Sequence, residues 1–426
     1  MEIFDRLESE VRSYCRSFPT VFTSALGYHL VDEAGRRYID FFSGAGTLNY
    51  GHNHPDIKRE LVDYLQGDGV LHSLDMATAA KRRFLEFFES LILAPRRLDY
   101  KVQFCGPTGT NAVEAALKLA RKATGRTNVV YFSRSYHGMT LGALAVTANA
   151  KKRSGAGVPL AFTVAVPYEN DLGPEVDGLV YLEGLLADSA GGVDLPAAVI
   201  VETVQAEGGV HSASWSWLRR LDQLVRRFGV LLIVDDIQVG CGRTGPFFSF
   251  EPAGILPDLV TLSKSISGIG LPMSLLLIRP QLDVWSPGEH TGTFRGNNLA
   301  FVAGAAALSL FWRDDALSRE VERKAALLEA WAEELLHSHP AARGELRGRG
   351  LIQGISFPSP GLAAQLARAA FDRGLIIETA GRADEVLKIL PPLIIDEAGL
   401  KAGLERLEDC LRSLGCEAVE LGRGAG

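Results

Sequence analysis

Two charged residues close apolar runs of the kind that form buried strands. Asp235 follows the run 231–234, and Lys264 ends the run 258–264. Short apolar runs rich in β-branched residues predict strands covered on both faces. Loss of water there disfavours the ammonium form of lysine, so that its neutral amine can attack a carbonyl, and an ionised aspartate can pair with a protonated pyridine nitrogen. The two residues predict a pyridoxal phosphate site with Lys264 as the Schiff-base lysine; taken alone, they fit an internal ion pair equally well.

A phosphate site is predicted where Gly109 and Thr110 open a helix. The loop 105–112 follows a predicted strand and leads into the helical pattern 110–123. Such a loop directs free backbone N–H groups and the positive end of the helix dipole at an anion. The same residues also make an ordinary helix N-cap, which is the alternative interpretation.

Further side chains follow other predicted strands. Tyr136 could stack on a planar ring, or it could be a core aromatic residue with a satisfied hydroxyl. Glu202 and Glu207 follow an apolar strand, and we prefer hydrogen-bonding or gating roles for them over an acid/base couple. Gln238, three residues after Asp235, could reach the ring oxygen of the cofactor. The loop 292–298 could add phosphate or substrate contacts.

Composition restricts the class of protein. The 426 residues are 47% hydrophobic and 22% charged, with a net charge of -7, which is typical of a globular protein and argues against a nucleic-acid binder. We interpret the basic cluster 151–153 as a solvated loop. A small-molecule partner is favoured, and no metal is expected, because His52 and His54 lack companion ligands.

Compartment is predicted from the cysteines and the N-terminus. The cysteines are odd in number and scattered, without a CxxC pair, which fits a reducing compartment. The N-terminus lacks an apolar signal core, and the apolar stretches are too short to span a bilayer. We therefore expect a cytoplasmic protein without a membrane association. The cysteines are Cys15, Cys105, Cys241, Cys410 and Cys416.

Periodicity predicts an α/β fold. Helices alternate with apolar strands from about residue 55, which implies right-handed crossovers and a mainly parallel sheet covered by helices. Residues 28–42 predict a hairpin, and residues 1–17 a short helix. We expect an N-terminal segment 1–50 that joins a small domain, a large cofactor-binding domain 51–312, and a C-terminal small α/β domain 313–426. The predicted helices are 55–66, 78–92, 110–123, 215–228, 297–312, 315–337, 361–373 and 396–414, and the predicted strands are 101–105, 128–132, 197–202, 230–235, 258–263, 273–279, 375–379 and 386–390.

In order, these segments resemble the class III aminotransferases, which are fold-type-I pyridoxal phosphate enzymes. The matching motifs are Thr108-Gly109-Thr110-Asn111-Ala112, Glu202-x-x-Gln205-x-Glu207-Gly208-Gly209, Asp235-Asp236-Ile237-Gln238 with Gly242-Arg243-Thr244-Gly245, Ser263-Lys264, and Gly292-Thr293-Phe294-x-Gly296-Asn297. The resemblance spans essentially the whole chain. It implies a large domain built on a seven-stranded, mainly parallel sheet, a small domain formed from both termini, and a homodimer or dimer of dimers with shared active sites.

Within this class, the segments 41–52, 100–104, 241–245 and 293–298 are most similar to the enzymes that make diaminobutyrate for ectoine synthesis. The resemblance implies transfer of the amino group of L-glutamate to the terminal aldehyde of L-aspartate 4-semialdehyde, which gives L-2,4-diaminobutyrate and 2-oxoglutarate. The alternatives are another ω-aminotransferase, an aminomutase of the glutamate-1-semialdehyde kind, and a cofactor-binding protein without catalysis.

The resemblance also implies roles for individual residues. Lys264 holds the cofactor and moves the proton, and Asp235 pairs with the pyridinium. The other predicted cofactor contacts are Gly109 and Thr110 at the phosphate, Tyr136 stacked on the ring, Gln238 at the ring hydroxyl, His137 and Glu202, and Thr293 at the phosphate of the neighbouring subunit. The predicted substrate contacts are Glu207, Lys388, Arg295 and Asn49.

Three positions depart from the pattern of the wider class. Met139 stands where ornithine-type enzymes place the arginine that binds the glutamate α-carboxylate, so the usual anchor is absent. Lys388 stands where relatives often have an arginine that pairs with the glutamate matching Glu207; it keeps the charge and loses the bidentate fork. Ala206 replaces a common glycine, which we regard as minor.

Overall fold

The computed structural model describes residues 2–414, so that Cys416 lies outside the described residues. The strands are Phe22–Leu26 (β1), His29–Asp32 (β2), Arg37–Asp40 (β3), Lys101–Phe104 (β4), Val129–Phe132 (β5), Thr163–Val166 (β6), Ala198–Val201 (β7), Val204–Gln205 (β8), His211–Ser212 (β9), Leu231–Asp235 (β10), Leu259–Leu262 (β11), Leu275–Ile278 (β12), Glu345–Arg349 (β13), Ile352–Ser356 (β14), Leu375–Ile376 (β15), Glu378–Ala380 (β16) and Val386–Ile389 (β17).

The α-helices are Glu2–Leu7 (α1), Tyr14–Ser17 (α2), Ser43–Gly46 (α3), Pro55–Gln66 (α4), Ala79–Phe87 (α5), Gly109–Thr124 (α6), Leu141–Ala145 (α7), Ala150–Arg153 (α8), Gly178–Ala187 (α9), Trp215–Arg227 (α10), Asn298–Phe311 (α11), Ala316–Ser338 (α12), Leu362–Asp372 (α13) and Glu397–Ser413 (α14). A π-helical segment, Phe88–Leu93, continues α5. Short 3-10 turns lie at Ala94–Arg96, Glu251–Ala253, Lys264–Ser267, Pro280–Leu282, Thr293–Gly296 and Pro340–Ala342.

Seven of these strands form the central sheet, in the order β4-β12-β11-β10-β7-β5-β6. The predicted mainly parallel sheet is confirmed; β12 alone among these seven runs antiparallel to both of its neighbours. Strands β7, β5, β11 and β12 are buried at every residue, as expected for strands that helices cover on both faces. Residues Asp235 of β10 and Thr261 of β11 are paired across the sheet, which brings the ends of these two strands side by side.

Of two four-stranded sheets, one combines strands from both ends of the chain and the other is built from C-terminal strands alone. The predicted hairpin is present as β2 and β3, and β15 pairs with β3 in parallel, with Leu375 opposite Ile39. The second small sheet has the order β13-β14-β17-β16. The largest apolar cluster also includes Leu317 and Leu393, so packing continues across residue 312. The division of the chain near residues 50 and 312 therefore stays a prediction.

Helix α6 begins where the phosphate cradle is predicted. The backbone N–H of Thr108 donates to Asn111 Oδ1 at 3.2 Å, which fixes the start of the helix one residue before the predicted one. At the other end Gly125 adopts φ +68° and donates to the carbonyl of Arg121, as glycine commonly does after a helix. The buried face of α6 packs on the sheet and holds the helix N-terminus over the ends of the central strands.

Two local interpretations differ from the structure. The segment predicted as one short helix contains two, α1 and α2, because the mostly polar residues 8–13 interrupt the apolar pattern. The basic cluster 151–153 belongs to α8 and is not simply a solvated loop, because Lys152 and Arg153 are both partly buried. Strand β6 and helix α9 are missing from the sequence-based prediction. Between residues 2 and 414, no helix has the length and apolar character needed to cross a membrane.

Candidate active site

A cavity of about 330 Å³ lies at the carboxyl ends of the central strands. Parallel strands end on the same edge, so the residues that follow them meet there. Of the residues predicted from the sequence, those that line the cavity are Gly109, Thr110, Tyr136, His137, Glu202, Glu207, Asp235, Gln238 and Lys264.

Lys264 follows β11 and has a left-handed backbone, with φ +52°. A non-glycine residue in this region is strained, and such strain is concentrated at functional sites. Its Nζ donates to the carbonyl of Ala45 at 2.8 Å. Burial lowers the pKa of Lys264 to about 8, although the attraction of Glu207 opposes the shift. A larger fraction of Lys264 is therefore in the neutral amine form than for an exposed lysine at the same pH.

The carboxylate of Asp235 is held from several sides. Its Oδ2 lies 2.7 Å from His137 Nδ1, and its Oδ1 accepts from Thr261 Oγ1 at 3.0 Å and from the backbone N–H of Ile237 at 3.2 Å. These contacts fix the orientation of the Asp235 carboxylate on the wall of the cavity.

Glu202 is a further carboxyl group in the cavity lining. Its Oε1 accepts from the backbone N–H of Tyr136 at 2.9 Å. Burial raises the pKa of Glu202 well above its usual range, and repulsion from Asp235 adds to the shift. The raised pKa favours the neutral carboxyl form of Glu202, which can donate a hydrogen bond into the cavity.

The N-terminus of α6 forms one end of the cavity. Gly109 and Thr110 stand in the first turn, and Thr110 Oγ1 is hydrogen-bonded to Thr140 Oγ1 at 2.6 Å. Gly138 approaches so closely, at φ +133°, that a Cβ there would collide with Thr110. This close backbone approach leaves the free N–H groups of the helix facing the space that an anion would fill.

Lys388 lies behind Glu207 and is fully buried. Its Nζ is 2.7 Å from Glu207 and 2.7 Å from Glu378, so one ammonium serves two carboxylates. Burial disfavours ionisation of Glu207, but the attraction of Lys388 and Lys264 prevails and lowers the pKa of Glu207 to about 2. For Glu378 burial prevails and raises the pKa to about 7.

Glu378 should therefore make stability depend on pH. Because its folded pKa is raised, its contribution to stability is complete below the unfolded pKa and is lost as the pH rises to about 7. Glu378→Gln cannot ionise. We expect its free energy of unfolding, relative to the unchanged protein, to increase on the order of 2 kcal/mol from about pH 4.5 to about pH 7.5, as measured by chemical denaturation.

Glu207→Gln is the matched control, because Glu207 contacts the same ammonium. Its folded pKa is lowered, so its contribution exists above the unfolded pKa and is lost as the pH falls. The control should lose stability relative to the unchanged protein as the pH rises from about 3 to about 6. Two variants with parallel pH profiles would contradict this account of the cluster.

Four predicted site residues do not line the cavity within one chain. Lys388 reaches it only through Glu207. Thr293 is exposed, and its carbonyl accepts from His72 Nε2 at 2.7 Å. The guanidinium of Arg295 contacts Asp75 and the carbonyl of His290.

Asn49 is also outside the cavity, and it is fully buried. Its Oδ1 accepts from Arg243 at 2.6 Å, and its Nδ2 donates to the carbonyl of Cys241 at 2.9 Å. With both amide atoms engaged, Asn49 compensates a buried guanidinium. We therefore propose a structural role for it in place of substrate binding.

Two residues near the cavity were not assigned from the sequence. Burial raises the pKa of Tyr14, and Glu378 and Glu207 add to the shift, so this N-terminal tyrosine lies within their field. Lys152 lies with its Nζ 4.1 Å from the centroid of the Tyr136 ring. Neither contact has a signal in the local sequence, because both depend on packing between distant segments.

The residues present suit pyridoxal phosphate. Gln238 lines the cavity, its Nε2 donates to Ala45, and its Oε1 is buried without a partner. This unpartnered oxygen, the carboxyl groups of Glu202 and Asp235, and the N-terminus of α6 provide complementary groups for a hydroxypyridine ring and its phosphate. Within residues 2–414, no group of three or more His, Cys, Asp or Glu side chains could hold a metal ion.

Comparison with known proteins agrees with this geometry. The family model Aminotransferase class-III matches residues 12–411. The diaminobutyrate–2-oxoglutarate transaminase of Bordetella parapertussis is 59% identical over 96% of this chain and 94% of its own length. The transaminase of the same name from Halalkalibacterium halodurans is 55% identical over 97% of both chains.

Solved structures show the same fold. The ornithine aminotransferase of Toxoplasma gondii superimposes with a TM-score of 0.85 at 26% identity, over 97% of this chain and 94% of its own. An aminotransferase of Bacillus anthracis has a TM-score of 0.86 at 22% identity, over 97% of both chains. The chain belongs to the class III aminotransferases, and it is a pyridoxal phosphate-dependent enzyme.

Proposed function

We propose that this aminotransferase moves the amino group of L-glutamate to the terminal aldehyde of L-aspartate 4-semialdehyde, which gives L-2,4-diaminobutyrate and 2-oxoglutarate. The observation that carries the proposal is the shared name, diaminobutyrate–2-oxoglutarate transaminase, of relatives that match at 52% to 59% identity over nearly the whole chain. The cavity supports it, since Lys264 and Asp235 lie together at the strand ends.

Lys264 has two tasks in this proposal. When bound, pyridoxal phosphate supplies an aldehyde that takes up amino groups and a ring that withdraws electrons. The neutral amine of Lys264 would hold that aldehyde, and its Nζ would take the proton from the α-carbon of the donor. Its lowered pKa, about 8, suits both tasks near neutral pH.

The other cavity residues would orient the cofactor and stabilise it in the site. Asp235, fixed by His137 and Thr261, would pair with the ring nitrogen and favour its protonated form. Glu202 and Gln238 hold the ring oxygen as donor and acceptor partners, and Tyr136 covers the ring face. The first turn of α6, at Gly109 and Thr110, holds the phosphate.

An acceptor panel tests the proposal. The purified, cofactor-loaded enzyme is given L-glutamate with aspartate 4-semialdehyde, glutamate 5-semialdehyde or succinate semialdehyde, and the position of the new amine is found by mass spectrometry. We expect kcat/KM for aspartate 4-semialdehyde to exceed that for glutamate 5-semialdehyde by about tenfold or more, the discrimination typical of one methylene. Succinate semialdehyde, which lacks the α-amino group, should also be a poorer acceptor. Equal or better use of another aldehyde would refute the specificity. Turnover without glutamate would identify an aminomutase.

We also propose a homodimer or dimer of dimers. The surface around Thr293 is apolar, with Phe294 67% exposed and Leu71 52% exposed. A second copy that covers this surface would bring Thr293 to the phosphate of the neighbouring site. Sedimentation equilibrium should give at least a dimer, and Phe294→Asp should shift the protein towards monomers that bind the cofactor less tightly. A monomeric, fully active protein would exclude the shared site.

A further inference from the structure

Helix α8 is tied to the segment that carries Tyr136. The guanidinium of Arg153 donates to the carbonyls of Leu144, Ala145 and Thr147, at 3.1, 3.2 and 2.9 Å. Thr147 in turn accepts from the backbone N–H of His137 at 3.0 Å. The start of α8 is fixed as well, because Asn149 Oδ1 accepts from the backbone N–H of Lys152 at 3.1 Å. These bonds set the position of the Lys152 backbone relative to the cavity wall.

Lys264, the one lysine or arginine that lines the cavity in the described part of the chain, and Lys388, which lies behind Glu207, are both already engaged. Lys264 is the reacting amine. Lys388 is fully buried and contacts two carboxylates, Glu207 and Glu378, so a substrate anion would have to displace one of them. Met139, which lines the cavity, is uncharged. A dicarboxylic donor such as glutamate therefore needs a positive charge from another residue.

The ammonium group of Lys152 can supply this positive charge. Its Nζ lies over the ring of Tyr136, which lines the cavity, at 4.1 Å from the ring centroid. Among the residues that the structure describes, no carboxylate lies within 4.0 Å of this ammonium, unlike that of Lys388. Its charge already reaches the cavity, because it helps to lower the pKa of Glu207. A cation–aromatic contact at a partly exposed site is weak and easily exchanged for a carboxylate.

We propose that Lys152 binds a carboxylate of the dicarboxylic amino donor and of its oxo-acid product. It would thereby take the role of the arginine that ornithine-type enzymes have at the position of Met139. The proposal rests on the proposed function for its choice of glutamate. The four-carbon stem of lysine lets the ammonium leave the Tyr136 ring and turn towards an anion in the cavity. Arg153 acts as the positioning residue that keeps α8 in place.

The test is binding of glutarate, a dicarboxylate that cannot react, to the cofactor-loaded enzyme by calorimetry. Lys152→Gln should weaken glutarate about tenfold and raise the KM for glutamate by a similar factor, with kcat changed less than about twofold. Lys152→Arg should restore both values. The matched control is Lys151→Gln, which removes an exposed lysine of the same helix and should match the unchanged enzyme.

Each result separates this inference from the proposed function. Unchanged glutarate binding by Lys152→Gln would overturn it, as would a loss that Lys152→Arg does not repair. A lowered unfolding midpoint in Lys152→Gln, with binding reduced only in proportion to misfolded protein, would assign Lys152 a structural role. If the enzyme prefers another aldehyde and Lys152→Gln still weakens glutarate, the proposed acceptor is wrong and the carboxylate site stands.

Discussion

Lys264→Ala is expected to lower kcat for glutamate-dependent transamination by about 10³-fold or more, the largest effect of any single substitution in this chain. The variant loses both the amine that holds the cofactor and the base that takes the α-proton. Borohydride reduction makes the linkage permanent, and peptide mass mapping then locates it. The unchanged enzyme should carry the label on residue 264, and the variant should carry none.

The control for this result is Lys264→Arg, which keeps a positive charge at the same position. A guanidinium stays protonated and cannot act as the nucleophile or the base. Lys264→Arg should therefore be as inactive as Lys264→Ala, although it keeps the charge beside Glu207. Recovery of activity in Lys264→Arg would reduce Lys264 to one partner of an ion pair. A label on a different lysine in the unchanged enzyme would have the same consequence.

Six of the seven strands of the central sheet could be predicted from local patterns, and the edge strand β6 could not. Helix α4 occupies residues 55–66 as predicted, because Pro55 starts it and Gly67 ends it. The buried strands β10 and β11 lie within one residue of their predicted bounds. The direction of β12 could not be predicted, since an apolar run that is buried on both faces looks the same whether it pairs in parallel or antiparallel.

The residues of the site also fall into those that the sequence could predict and those that it could not. The groups around Asp235 and Lys264 were predictable because carboxyl ends of parallel strands meet on one edge of the sheet. Glu378 and Lys152 were not, because their neighbours come from distant segments. Asn49 lies in a segment shared with the family, but its amide contacts the buried Arg243 and it does not line the cavity, which supports the structural role proposed for it. A motif identifies residues under constraint without saying which of them touch the ligand.

Asp235→Asn is expected to lower kcat by about 10² to 10³, the range found when an oriented charge is removed from a reacting group. The amide has nearly the shape of the carboxylate and can keep the hydrogen bond from Thr261. It cannot hold a proton on a pyridine nitrogen, so the ring withdraws electrons less well. The dissociation constant of pyridoxal phosphate, from quenching of tryptophan fluorescence, should also rise.

Asp236→Asn is the matched control for Asp235→Asn, because it makes the same chemical change at the next residue. Asp236 directly follows β10 and is fully buried, and its carboxyl group accepts hydrogen bonds from Ser249. Burial raises its pKa to about 7. Asp236→Asn should leave cofactor affinity and kcat within about twofold, because Asp236, unlike Asp235, does not line the cavity. Equal losses in both variants would mean that strand β10, and not the charge of Asp235, is what the site needs.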